Sequence, residues 1–106
     1  MRGRWTATVM VYSGRPDPTW TVDGATAERL LVVWERLAPA PSAPPAPPPL
    51  GYRGATLHDA DSDRTWLVFQ GVVTSGGANR ADAANEFARE LLASAPAGIL
   101  PPWARP

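Results

Sequence analysis

Eleven of the thirteen prolines in this 106-residue chain fall in two runs, Pro39 to Pro49 and Pro96 to Pro106. Proline fixes φ and lacks a backbone N–H, so neither run can supply a helix interior or a central strand. The first run reads as an extended polyproline II connector on the surface, the second as a tail. About 80 residues remain for packing, enough for one core and too few for two. The chain therefore reads as one domain, 1–106, with a linker at 39–49 and a tail at 96–106.

Strand and helix signals divide what lies between. Trp5 to Tyr12 is β-branched or aromatic at most positions and ends at Ser13-Gly14, which predicts a first strand. Pro16 and Pro18 then stiffen the turn Ser13 to Trp20, and Trp20 is placed to plug one end of the core. Asp23 is a good N-cap, and Ala27, Leu30, Leu31, Trp34, Leu37 and Ala38 repeat at helical spacing, predicting a helix over 24–38 that Pro39 stops. Beyond the linker, Gly51 to His58, an aspartate-rich turn and Thr65 to Val73 predict a hairpin. Ser75-Gly76-Gly77 closes its second strand, and a helix over about 80–95 follows.

The expected fold is α+β, in the order β-α-β-β-α: a two-layer sandwich in which a three-stranded sheet carries both helices on one face. The helical crossover makes the first two strands parallel, and the last strand lies between them. Alternation along the strands puts Ala7, Val9, Val11, Ala55, Leu57, Leu67, Phe69 and Val73 under the helices. The other face is expected to carry Thr6, Thr8, Met10, Tyr12, Tyr52, Thr56, His58, Trp66, Val68, Gln70 and Val72. Three coverings fit that face: the chain's own arm, loop or Trp103 tail; a second copy; or a ligand or foreign protein.

Composition narrows function by exclusion. Ten acidic residues balance ten basic ones, so no net field favours nucleic acid or an anionic membrane. All ten basic residues are arginine, which with abundant alanine and proline reflects a GC-rich coding bias before it reflects arginine chemistry. Without cysteine there is no disulfide, thiolate nucleophile or cysteine-ligated metal. The N-terminal apolar stretch is broken by Thr6 and Thr8, and no span reaches membrane length, so the expected location is the cytoplasm.

Signatures of catalysis are thin. His58 is the only histidine, and the aspartates after it are the residues a hairpin turn prefers. Asp59-Ala60-Asp61-Ser62-Asp63 lacks the glycine and distal glutamate of a calcium loop. Ser75 to Arg80 reads as a strand-to-helix loop able to take a small anion, but without the spacing of a phosphate-binding motif. The Pro-x-x-Pro spacings from Pro41 to Pro48 have no basic neighbour to orient them in an aromatic groove. No catalytic residue, metal or cofactor is assigned.

The expected role is a non-catalytic accessory or binding protein working through the open sheet face and the Ser13–Trp20 turn. Arg15, Asp17, Trp20, Tyr12, Tyr52, Arg53, Trp66 and Gln70 are its candidate contact residues. The expected partner is a protein or a second copy, with a small molecule as an alternative. Two rival roles are a metabolite-binding protein or enzyme using Arg15, Asp17 and His58, and a purely structural homodimer.

Ser13-Gly-Arg-Pro-Asp-Pro-Thr-Trp20, Leu50-Gly-Tyr-Arg-Gly54, Phe69-Gln-Gly-Val-Val73 and a closing helix with Asp82, Glu86, Leu91 and Leu92 together resemble a family of small uncharacterised bacterial proteins. Its members tend to carry Asn where Asp17 stands, so this chain adds a charge at the turn. The resemblance implies the same fold boundaries and directs attention to the turn, and it brings no activity with it.

Overall fold

The computed structural model describes residues 4–11, 16–41 and 53–101. Six strands and two helices follow one another as β1 (Trp5–Val9), β2 (Thr19–Val22), α1 (Gly24–Arg36), β3 (Ala55–Asp59), β4 (Arg64–Phe69), β5 (Val72–Ser75), β6 (Ala78–Ala81) and α2 (Glu86–Ala93). The strands form one antiparallel sheet in the order β2-β1-β3-β4-β5-β6. The class is α+β, but the expected three-stranded sheet is wrong, and so are the parallel direction of its first two strands and the placing of the last strand between them, since β1 and β3 are direct antiparallel neighbours. β2 reverses the chain before α1 begins, so β3 returns antiparallel to β1.

Three short strands account for the difference. Thr19–Val22 pairs with β1 in the register Ala7↔Trp20, a hairpin partner where a rigid lead-in to the helix was expected. The stretch Thr65 to Val73 is two strands, because Gln70 (φ 50°) and Gly71 (φ 76°) turn it back on itself. Two successive positive φ values match the right-handed twist of adjoining strands, which is what a two-residue hairpin loop requires. Gly76 (φ 57°) and Gly77 (φ 82°) repeat the device, so Ala78–Ala81 is an edge strand rather than the start of a helix. That edge is covered: Ala40 donates its N–H to Asn79, and Ala81 donates to Ala38, around a Pro39↔Arg80 bridge. The first residues of the proline-rich run thus block further pairing at β6.

Both helices bury one stripe. α1 is capped by Asp23, whose carboxylate accepts the Thr26 N–H at 2.7 Å, and it buries Ala27, Leu30, Val33 and Trp34. α2 begins at Glu86, not near residue 80, and buries Phe87 and Leu91. Its first free N–H groups are served from a distance: the buried carboxylate of Asp82 accepts from Phe87 at 3.0 Å and from Ala88 at 3.1 Å. These stripes join Ala7, Val9, Trp20, Val22, Ala55, Leu57, Trp66, Val68 and Val73 in one core.

Along β4 the expected alternation is inverted. Leu57 pairs with Trp66 and Ala55 with Val68, so Trp66 and Val68 face the helices and Leu67 and Phe69 face away. Burying a large apolar side chain stabilises by roughly 1.5–3 kcal/mol, a gain that Trp66 with Val68 or Leu67 with Phe69 could each supply beneath the helices. Phe69 is nonetheless only 4% exposed and stands outside the core cluster. Apolar burial on both sides of the strand is why alternation alone misassigns it.

Candidate functional site

The sheet side away from the helices is a surface of hydroxyls. Thr19 and Thr21 on β2, Thr6 and Thr8 on β1, Thr56 on β3, Thr65 on β4 and Thr74 on β5 all share it by register. That is seven of the eight threonines in the chain, the eighth being Thr26 in α1. Threonine is the polar residue best suited to an exposed strand, since its β-branch stiffens χ1 while its hydroxyl meets water or a partner. Neighbouring strands cross-link the array, with Thr8 Oγ1 lying 3.1 Å from Thr19 Oγ1 and Thr74 Oγ1 donating to Asn79 Oδ1 at 2.7 Å. Among the hydroxyls sit half-buried Leu67 and Val72.

At the β1–β2 end the face closes in a charged corner. Asp17 Oδ1 accepts the N–H of Val11 at 2.9 Å, and its Oδ2 lies 3.8 Å from Arg53 Nη2. Arg53 is brought there by a β-bulge: Met10 donates to Gly54 O but accepts from Arg53 N, so two residues of one strand oppose one of the other. Gly54 holds φ 107°, a value that favours glycine, and a β-carbon on it would meet Val68 O at 2.9 Å. Asp17 and Arg53, expected to contribute separately, are therefore a pair built into the fold.

His58 occupies the other end of β3, where Nε2 lies 2.9 Å from Asp63 Oδ1. Asp63 is almost fully exposed. Four residues, the bulge Gly54 and three of β3, separate Arg53 from His58, a backbone span of up to roughly 17 Å, and the two side chains engage different partners at its two ends. Asp59 spends its carboxylate inside the turn, accepting from the Asp61 N–H and the Ser62 hydroxyl. Among the described residues no group of three His, Cys, Asp or Glu side chains is placed to hold a metal ion.

The remaining candidates separate. Trp20 is buried in the core and donates its indole N–H to Ser94 Oγ at 2.9 Å. Trp66 and Val68, expected on the open face, are buried beneath the helices, which corrects that assignment. Gln70 belongs to the β4–β5 turn and is exposed there. Tyr12, Arg15 and Tyr52, and with them most of the proline-rich run and Trp103, lie outside the described residues. Arg80, expected at an anion-binding helix start, instead donates to the Trp34 carbonyl near the end of α1 at 2.7 Å.

Of the seven threonines, Thr6, Thr8 and Thr56 are expected on this face from the sequence, and Thr19, Thr21, Thr65 and Thr74 are not. The signal for Thr19 and Thr21 is the alternation Thr19-Trp20-Thr21-Val22, which repeats the pattern Thr6-Ala7-Thr8-Val9. Among the described residues no helix is long and apolar enough to cross a membrane. No protein-family model, curated protein or solved structure matches the chain.

Proposed function

We propose that this chain is a non-catalytic binding protein that holds a protein partner against its threonine face, with the Asp17–Arg53 corner fixing orientation. The observation that carries the reading is the face itself: seven hydroxyls on one side of β2, β1, β3, β4 and β5, with Leu67 and Val72 beside them on β4 and β5, on a sheet anchored by two helices behind it. Short β-branched side chains on a rigid backbone lose little entropy on contact, and apolar positions bordered by hydrogen-bonding groups are how recognition patches are built. The guanidinium of Arg53 adds directional donors at the rim. We place this work in the cytoplasm.

The test is retention of partner by surface variants. Thr56→Arg and Leu67→Arg put a long cation at the centre of the face, whereas Val32→Arg alters an exposed position on α1 and serves as control. The first two are expected to lose the protein that wild type retains on gentle purification from its host, while keeping the wild-type circular dichroism. Equal retention by all three places the contact elsewhere. A second copy on the face is recognised by a concentration-dependent mass that Leu67→Arg abolishes.

A further inference from the structure

Turned to the helix side of β4, Trp66 enters a cluster that the threonine face does not use. Its ring lies 5.9 Å from that of Trp5. The Arg64 guanidinium carbon stands 4.6 Å from the Trp66 ring centre and 5.9 Å from that of Trp34, with Arg80 on Trp34 at 4.2 Å. Arg80 is committed, donating to Trp34 O and lying 4.0 Å from Glu35. Arg64 is exposed and only half committed: Nε donates to Ser75 Oγ at 2.9 Å, and its two Nη groups, which meet no acceptor among the described residues, are open to water and to a ligand.

Trp66 is 3% exposed, and its indole N–H is buried without a hydrogen-bond partner among the described residues. Buried donors in folded proteins are nearly always satisfied, so an orphan of this kind marks the place of a group that belongs there. Indole N–H and guanidinium only donate. Whatever completes the cluster must therefore be an acceptor, and beside an arginine fork the best match is a planar group with two acceptor oxygens.

We propose that Arg64 and Trp66 form a binding site for a small carboxylate, one oxygen accepting the Trp66 indole N–H and the other an Arg64 Nη. Trp5, half-buried beside Trp66, offers a ring face to the body of the ligand. Asp59 stands opposite Arg64 across the β3–β4 pair, but its carboxylate accepts from Asp61 and Ser62 in the turn and makes no ion pair with Arg64 among the described residues, so it does not occupy the place of the ligand. The site lies on the opposite side of the sheet from the proposed partner face, and either can fail without the other.

The indole N–H resonances of the nitrogen-15-labelled full chain test it, with that of Trp66 assigned by its loss in Trp66→Phe. Acetate and benzoate are titrated at constant ionic strength against chloride, with inorganic phosphate as a second oxyanion. A saturable shift of the Trp66 signal with the carboxylates, weakened at least about tenfold in Arg64→Gln and recovered in part in Arg64→Lys, is the expected result. Stronger saturation by phosphate than by either carboxylate overturns the ligand class. A shift that follows chloride equally, survives in Arg64→Gln or is absent at roughly tens of millimolar overturns the site and leaves a buried water as the partner of Trp66.

Discussion

A β-carbon on Gly54 would stand 2.9 Å from the carbonyl oxygen of Val68, so the start of β3 passes β4 at a distance that only glycine permits. The same residue holds φ 107° and forms the bulge that carries Arg53 to Asp17. Gly54→Ala is expected to lower stability by about 2 kcal/mol or more, since it adds both strain and a steric clash. Urea unfolding gives the comparison, and a midpoint equal to wild type would mean the bulge is not held closely against β4.

Asp82 does for α2 what an N-cap residue ordinarily does, from four residues before Glu86. Its carboxylate is 1% exposed and accepts two backbone N–H groups of the first helical turn. Asp82→Ala would leave those donors unpaired in a buried place, at an expected cost of about 2 kcal/mol. Asp82→Asn keeps one acceptor and should fall between the two. Equal unfolding midpoints for the alanine and asparagine variants would remove the capping role.

The corner pair separates charge from hydrogen bonding. Asp17→Asn retains an oxygen for the Val11 N–H while losing the partly exposed ion pair with Arg53. Such pairs contribute about 0–1 kcal/mol, so this variant is expected to unfold close to wild type, whereas Asp17→Ala should lose about 1 kcal/mol more. If asparagine proves as damaging as alanine, the charge itself holds the corner.

How much of this was legible in the sequence follows from which interactions are local. The Asp23 cap and the burial of Ala27, Leu30 and Trp34 depend on neighbours a turn away and follow from the sequence, whereas α1 ends at Arg36, short of the expected 38 and of Pro39, and buries Val33, which the expected stripe left out. β2 was hidden because Pro16, Pro18 and a nearby helix cap dominated its surroundings, and its partner strand lies across the turn. Gln70-Gly71 concealed a reversal because glutamine is an unusual choice for a positive φ. Trp66 could not be placed by alternation, since Leu67 and Phe69 offer an equally apolar opposite side. The cap from Asp82 depends on Asn85 taking a left-handed conformation (φ 57°), which no spacing rule announces. The candidate face was half visible for the same reason: three of its threonines lie in strands that were recognised as such and given the right side.

The inverted alternation of β4 makes a direct prediction. Trp66→Ala removes a side chain that is 3% exposed and touches Trp5 and Arg64, so a loss of about 3–5 kcal/mol is expected. Leu67→Ala, one residue on, is half-buried on the threonine side and should cost less than half as much. Reversal of that order by thermal or urea unfolding would mean that β4 is paired one residue out of register.

Acid acts on the cap of α1. The Thr26 backbone N–H, then the Thr26 side chain and more weakly the Arg29 charge, hold the Asp23 carboxyl below the 3.8 of an unperturbed aspartate. A carboxyl whose folded pKa is depressed lends the start of α1 stability that is complete above the unfolded value and is lost as pH falls through the folded one. The Thr26 amide resonance should therefore titrate with a midpoint below 3.8 in wild type and lose that step in Asp23→Ser, which caps without a charge. Because Asp23 is fully exposed, raising the salt concentration should move the midpoint only to the extent that Arg29 contributes, and leave the part due to the Thr26 hydrogen bonds. A midpoint at or above 3.8 would show that the cap bond is not formed in solution.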